Sequence, residues 1–397
     1  MGEAAVTGVG VVTPLESGRG TGLFWRSLIE GRSAVAPVTL FDASPYGAVA
    51  AAQVEGLEGA GADRWFAMME RALDLALRDA GLWGEKGELA GAALVVGTVL
   101  GGVLHGERVW REGRREPPPG YSLHSGAKRL AADFGIGGPV TTVSTACASG
   151  TDALGLAYRL VADGAVETAV AGGADALCEF ALSGFSALGA LSPTGVARPF
   201  AAGRDGLVLG EGAAFLVLQD GRRAGERGAP VYGRVRGYAS RSDANHMTAP
   251  DREGRGLARA MEAALAEAGV RRVDYINAHG TGTPYNDAME TRAIKRVFGP
   301  AAYDIPVSSV KGAVGHSFGG AGAMEAAICL LAMKDGVLPP TINLDRPDPE
   351  CDLDYVARGA RDRAVRTAMS LSAGFGGQNG VVVFDSGPVH RSPGTKV

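Results

Sequence analysis

Apolar positions along the chain recur with two periods, and the switch between them marks out the elements. Short runs at 92–96, 140–144 and 168–171 have the length and composition of strands. Between the last two, Leu154, Ala157, Tyr158 and Val161 fall at i, i+3, i+4 and i+7, one face of a helix that Asp163-Gly164 closes. The later part repeats the plan. Leu257, Met261 and Leu265 share a helix face that stops at Gly269, and 275–278 reads as a strand. Asp287 with Glu290 three residues on resembles a capping box for a helix through Phe298. A strand at 307–310, a long buried helix at 324–333, and a closing hairpin of 369–373 with 381–384 follow. Strands alternating with helices predict a layered α/β protein. Two similar halves, 1–240 and 241–397, are expected to meet within the polar stretch 220–250. The segment 107–120, with Arg108, Arg111, Arg114, Arg115 and then Pro117 to Pro119, is the one expected surface excursion.

Composition narrows the class. A length of 397 residues fits two or three domains or one large composite fold. Hydrophobic residues at 46% and charged residues at 21% exclude general disorder. Lys plus Arg, 39, against Asp plus Glu, 43, leaves −4, the opposite of the basic footprint of a nucleic-acid protein. The longest nearly uncharged apolar run, 90–104, is fifteen residues and contains four glycines. A membrane span needs about twenty residues, so this run reads as a buried strand and loop. The first basic residue is Arg19, so no positively charged start precedes an apolar stretch and no secretory signal is expected. Cys147, Cys178, Cys329 and Cys351 are too few and too scattered for a disulfide framework or a CxxC zinc site. A reduced, soluble, cytoplasmic protein with no nucleic-acid or membrane partner is the reading. Glycine is the outlier, at 61 of 397 residues. It clusters at the ends of apolar strands, which suggests tight turns in a packed core and favours an enzyme over a loose binding module.

Cys147 lies in Ser144-Thr-Ala-Cys-Ala-Ser-Gly150, between a strand end and a helix start. A free Cys is commonly a small buried hydrophobe. A thiol at a helix N-terminus instead feels the positive end of the macrodipole, which lowers its pKa and favours thiolate. The corner alone leaves both readings open. Two of the six histidines sit in glycine turns after strands: His279 in Asn277-Ala-His-Gly-Thr-Gly-Thr-Pro284, and His316 in Lys311-Gly-Ala-Val-Gly-His-Ser317. Taken with Cys147 they favour a Cys-His-His site. A metal would use the same three side chains, but they lack the local pairing of a ligand motif, so none is expected. Gly8-Val-Gly10 begins like a dinucleotide fingerprint, yet Thr13 holds the third glycine position. Gly315-His-Ser-Phe-Gly319 is a full G-x-S-x-G, which opens a serine hydrolase or acyltransferase alternative built on Ser317 and His390. Against it, His390 stands near the end of the chain, and Lys311-Gly-Ala-Val is a poor strand.

Several motifs then occur in one order: Val6-Thr-Gly-Val-Gly-Val-Val-Thr-Pro14, Thr145-Ala-Cys-Ala-Ser-Gly150, Ala171-Gly-Gly-Ala174, Arg204-Asp-Gly-Leu-Val-Leu-Gly-Glu-Gly212, His279-Gly-Thr-Gly-Thr-Pro284, Val310-Lys-Gly-Ala-Val-Gly-His316, Pro339-Pro-Thr-Ile-Asn343 and Gly374-Phe-Gly-Gly-Gln-Asn379. Over nearly its whole length the chain resembles the beta-ketoacyl-ACP synthases (ketosynthases) of thiolase fold. The resemblance implies an α-β-α-β-α sandwich of two similar halves and a decarboxylative condensation of an acyl-enzyme with malonyl-ACP. It casts Cys147 as the nucleophile, the N–H groups of Cys147 and Phe375 as oxyanion hole, and His279 and His316 as donors to the enolate. Lys311 and Glu325 match positions that support the histidines, and Thr281 and Thr283 match threonines that bond the pantetheine arm. Phe185 and Leu207 match acyl-pocket positions. Gly106 stands where a bulky residue often walls that pocket, which would open it across a dimer interface. Initiating synthases carry Asn in place of His316, and thiolases a second Cys near the last glycine loop, so the elongating class is implied, in fatty-acid or polyketide synthesis. Non-catalytic chain-length partner subunits lack the nucleophile. No bound cofactor is implied, since phosphopantetheine arrives on the acyl carrier protein. A homodimer is the family expectation, with a heterodimer beside a chain-length partner as the alternative.

Overall fold

Alternate residues of the same strands enter different cores, and this sets the layering. The computed structural model of the chain describes residues 2–15, 20–47 and 50–387. His390, and with it the pairing to Ser317, lies outside the described residues. Five strands form the first half of the ten-stranded sheet: β1 (Ala4–Val12), β2 (Ala93–Gly97), β3 (Val140–Val143), β4 (Thr168–Asp175) and β5 (Gly212–Asp220). Five form the second: β6 (Gly233–Ser242), β7 (Tyr275–Asn277), β8 (Val307–Ser308), β9 (Thr367–Gly374) and β10 (Gln378–Asp385). Their order is β8-β7-β9-β10-β6-β1-β5-β4-β2-β3, so 1-5-4-2-3 is repeated as 6-10-9-7-8. The halves are stitched where Ala4 to Val6 pair antiparallel with Gly233 to Val235.

The helices that matter here are α1 (Arg64–Asp79), α2 (Val103–Arg111), α3 (Ser149–Ala162), α4 (Glu179–Ala187), α5 (Arg255–Ala268), α6 (Asn286–Phe298) and α7 (Ala321–Asp335). Ala93, Val95, Ala169, Ala171, Ala214 and Leu216 share a core with α3 and α7. Their neighbours Leu94, Val96, Val170, Phe215 and Val217 point the other way, into a core with α1. In the second half Tyr275, Ala368 and Val382 face α7, while Ile276, Met369, Val381 and Val383 face α5 and α6. The α-β-α-β-α layering follows. Helix α7 is buried on every side from Ala321 to Met333, as a helix at the centre of such a stack must be.

Two expectations are corrected. A boundary at 240 falls inside β6, and the crossover is the short helix Gly221–Arg227. Strand β6 alternates buried residues with half-exposed ones that include Arg234 and Arg236, so it has the polarity of a linker. The excursion at 107–120 begins inside α2, which carries Arg108 and Arg111 on helical turns. Gly8 and Gly10 lie within β1 against α1, where a Cβ would stand 2.3 Å from the Ala76 carbonyl oxygen and 2.0 Å from that of Ala72. They serve close strand–helix packing rather than a nucleotide turn. Among the described residues, no helix is long and apolar enough to cross a membrane.

Candidate active site

Strand β3 hands over to α3 through a tight corner. Ala146 takes a φ of 52°, Thr145 Oγ1 donates to Asp152 Oδ2 at 2.6 Å, and Ser149 Oγ donates to the Ala146 carbonyl at 2.5 Å. Cys147 sits in this corner and is 8% exposed. From the other half, Gly374 comes so close that a Cβ on it would lie 2.9 Å from the Cys147 nitrogen. That approach sets the Phe375 N–H beside the Cys147 sulfur, where it favours the thiolate. Burial pushes the Cys147 thiol up to about 11, opposed by the Lys311 charge and the Phe375 N–H. This reverses the expectation of a depressed pKa: desolvation of the thiolate outweighs the favourable corner. Cys178, Cys329 and Cys351 are buried too, and none of them lines the cavity described below.

The His279 turn is held through its backbone. Glu290 of α6 accepts from the N–H groups of His279 at 2.7 Å and Gly280 at 2.6 Å, and Asp287 accepts from Gly282 at 3.2 Å. These carboxylates do not form the capping box read from the sequence; Tyr285 is the N-cap and no side chain caps α6. The loop presents three amides to the helix's first turns, and the carboxylates serve those instead. Burial, with Asp287 nearby, pushes Glu290 up to about 8. The imidazole is fixed separately. Lys311 Nζ donates to the His279 carbonyl at 2.5 Å, contacts Nδ1 at 3.3 Å, and pairs with Glu325. An ammonium has donors only, so Nδ1 accepts and the proton of the neutral ring sits on Nε2. Burial and the Lys311 charge keep His279 well below the usual imidazole range. Burial pushes Glu325 up to about 7, countered by Lys311.

His316 is held differently. Its N–H donates to the Val208 carbonyl at 2.8 Å, and its own carbonyl accepts from Gly210 at 2.9 Å. Nε2 lies 3.1 Å from Cys147 Sγ, the ring stands edge-on to His279 at 5.1 Å, and Nδ1 is buried with no hydrogen-bond partner among the described residues. Burial and Lys311 keep its pKa well below the usual value as well. Ser317 is 1% exposed and does not line the cavity. In a nucleophile elbow the Ser itself occupies the strained turn, whereas Ser317 has a φ of −93° and Phe318 takes the positive φ of 51°. The G-x-S-x-G turn presents His316. The donor atoms of Cys147, His279 and His316 lie within 4.8 Å of one another, close enough to share a cation. Lys311 places a positive charge beside them, and only the thiolate would bring a negative one.

The three side chains line a cavity of about 420 Å³. Thr281 and Thr283 line it with their hydroxyls 2.9 Å apart. Phe185 stacks on Phe375 with centroids 5.5 Å apart, and Leu207 completes that wall. Lys311 and Glu325 stand behind His279. Gly106 is elsewhere: it lies on α2, a Cβ there would be 2.6 Å from the Tyr121 ring, and it does not line the cavity. Within one chain the room left by its missing side chain is taken by Tyr121. The sequence reading missed the anchoring work of Asp287 and Glu290; the available signal was two carboxylates directly after a loop rich in free amides.

The family model described as Beta-ketoacyl synthase, N-terminal domain matches residues 1–224, and its C-terminal counterpart matches 232–345. The chain is 40% identical to the tetracenomycin polyketide synthase ketoacyl synthase alpha subunit of Streptomyces glaucescens, covering 96% of each chain. It is 38% identical to 3-oxoacyl-(acyl-carrier-protein) synthase 2 of Coxiella burnetii, over 96% of this chain and 97% of that one. Among solved structures, it matches a type II PKS ketosynthase in complex with its acyl-carrier protein and bound to the hexaketide, with a TM-score of 0.89 and 33% identity, over 97% of this chain and 99% of that one. The ishigamide ketosynthase/chain length factor matches with a TM-score of 0.89 and 35% identity over the same shares. Matched along both halves and built around a Cys-His-His cluster, the chain belongs to the beta-ketoacyl synthase family of acyl-transferring, chain-elongating condensing enzymes.

Proposed function

We propose that Cys147 holds the growing acyl group and that His279 and His316 drive its extension by malonyl-ACP. The observation that carries this reading is the convergence of one thiol and two neutral imidazoles, their donor atoms within 4.8 Å of one another, in the lining of a single cavity. In the first half-reaction Cys147 sulfur attacks the acyl thioester of the carrier. The Cys147 N–H and the Phe375 N–H bind the tetrahedral oxyanion. The carrier's thiol leaves with the proton that Cys147 gives up, and an acyl-Cys147 thioester remains. In the second, the bond from the malonyl methylene to its carboxylate breaks and carbon dioxide departs. The electron pair becomes an enolate whose oxygen meets the Nε2 protons of both histidines. Donors aimed at a charge that exists only near the transition state raise the rate rather than merely the affinity. The enolate carbon then attacks the acyl carbonyl, the C–S bond breaks to leave the Cys147 thiolate, which takes a proton from solvent, and β-ketoacyl-ACP is released.

The carrier protein is the partner this chemistry demands, and its phosphopantetheine is the arm that Thr281 and Thr283 would bond; no resident cofactor enters the scheme. A second chain is favoured by the sheet. Its β8 edge is covered, Val307 donating to the Asp354 carbonyl at 2.7 Å, whereas the outer edge of β3 has no strand partner among the described residues. A copy of this chain, or a homologous chain-length subunit, would fill it. The four unpaired thiols suit a reducing, cytoplasmic setting. Relatives of both fatty-acid and polyketide type are similarly close, so product identity is the informative measurement. After incubation with acyl-ACP, mass spectrometry is expected to find the acyl adduct on Cys147 alone, and a ladder of acyl-ACPs with malonyl-ACP then reads out the chain length accepted. Condensation at the wild-type rate by Cys147→Ala, or an acyl-Ser317 adduct, would overturn the assignment.

A further inference from the structure

The segment 204–211 runs as a strap between the two histidine turns. Its middle carries the Val208 carbonyl and Gly210 amide that grip His316, and its Leu207 lines the cavity. At its start stands Arg204, whose side chain is 5% exposed yet does not line the cavity. Its guanidinium reaches three backbone carbonyls and one carboxylate. Nε donates to the Thr283 carbonyl at 3.0 Å, Nη2 to the Pro284 carbonyl at 2.9 Å, and Nη1 to the Ala201 carbonyl at 3.2 Å. Nη1 also pairs with Asp348 at 2.7 Å. The neighbouring Gly206 N–H donates to the Gly282 carbonyl at 3.2 Å, and Asp287 takes the Gly282 amide. The carbonyls of three consecutive residues, Gly282 to Pro284, are therefore tied to the strap. This is the loop whose threonine hydroxyls reach into the cavity.

We propose that Arg204 is a positioning residue that holds the Gly282–Pro284 loop in register, so that it sets recognition of the pantetheine arm rather than chemistry at Cys147. The inference rests on the reading of Thr281 and Thr283 as the residues that bond that arm. The planar fork of a guanidinium spans several carbonyls at fixed angles, which the point charge of a lysine does not reproduce. Without the fork the loop keeps its Asp287 anchor but loses two of its carbonyl ties, and both hydroxyls are free to drift from the arm.

The test compares two acyl donors, an acyl-pantetheine thioester and the acyl thioester of ethanethiol, which lacks the arm. Acylation of Cys147 is followed by thiol release, in wild type and in Arg204→Lys. The expected result is a KM for acyl-pantetheine raised about tenfold, with kcat little changed and the ethanethiol reaction unchanged, the size of losing well-placed charged hydrogen bonds. An unchanged KM for acyl-pantetheine overturns the inference. Should Arg204→Lys lose activity with both donors, Asp348→Asn decides, because it removes only the carboxylate that steadies the guanidinium: selective loss with acyl-pantetheine supports the inference, and equal loss with both overturns it. The pair Thr281→Val with Thr283→Val separates the premise from the inference. If that pair leaves the KM for acyl-pantetheine unchanged, the arm-binding reading fails. If the pair raises it and Arg204→Lys does not, only the role of Arg204 fails. In the combined variant Arg204→Lys is expected to add nothing, and a further tenfold rise would show that it acts through other residues.

Discussion

His279 and His316 line the same cavity with their rings 5.1 Å apart, yet those rings are held in different ways. For His279, Lys311 dictates where the proton sits, and Glu325 balances the lysine charge. Its Nε2 is a fixed donor. For His316 the backbone is clamped on both sides, but Nδ1 has no partner among the described residues and Nε2 lies against the Cys147 sulfur at 3.1 Å. Its tautomer is set by what stands opposite. While Cys147 carries a proton, Nε2 can accept it; once the sulfur is acylated, Nε2–H can donate to the enolate. The difference teaches that two identical side chains are made unequal by their neighbours: in the proposed mechanism one would serve a single half-reaction and the other would touch both.

The sharpest way to break this comparison is to remove each ring. His279→Ala and His316→Ala are both expected to lower malonyl-ACP decarboxylation by about 10² to 10³, the cost of one oxyanion donor. Only His316→Ala is expected to change the rate at which iodoacetamide alkylates Cys147. Normal decarboxylation in His316→Ala would remove it from the enolate and leave it as a partner of the thiol alone.

A smaller effect is expected from the lock on His279. Lys311→Met removes the donor that holds Nδ1 as acceptor and leaves Glu325 buried without its counter-charge, so decarboxylation should fall about 10- to 100-fold. Adding Glu325→Gln should restore part of the lost thermal stability, since it removes the uncompensated carboxylate, but not the lost rate. Recovery of both would mean that Lys311 acts only on folding.

The smallest effect is a shift along the pH axis. Burial favours the uncharged thiol, so the folded chain keeps the Cys147 proton between pH 9, where an ordinary thiol has lost it, and about 11. Alkylation by iodoacetamide should therefore keep rising with pH up to about 11, and the same difference makes the fold lose stability as pH rises through that window. His316→Ala should move the midpoint, whereas His279→Ala should not. A plateau below pH 9 would show that the thiolate is favoured after all.

Much of this protein was legible before any tertiary contact was known, and the limits are instructive. The helix at Leu154 to Val161 and the one from Leu257 to Leu265 emerge where their periodicity placed them, because an apolar stripe has nowhere to go but a sheet face. Strand β4 runs past Gly172 and Gly173 to Asp175, further than the apolar run suggested. The Asp175 carboxylate accepts from the amides of Leu100 and Gly319, so distant loops, rather than a local turn, mark its end. The Asp287 and Glu290 pair was visible as carboxylates at a helix start, but their acceptors were assigned to the wrong amides. Local spacing cannot distinguish a helix's own N–H groups from those of a loop folded against it.

The sequence by itself determined the layered architecture and the identity of Cys147, His279 and His316, because periodicity and strand-end glycine turns are local properties. Tertiary structure alone decided the ionisation of Cys147, the tautomer of His279, the freedom of His316, the loop-holding contacts of Arg204 and the displacement of Gly106 from the cavity. Each depends on desolvation or on a partner many residues away. Charge and proton position respond to the whole surrounding volume, and no stretch of chain carries that information alone.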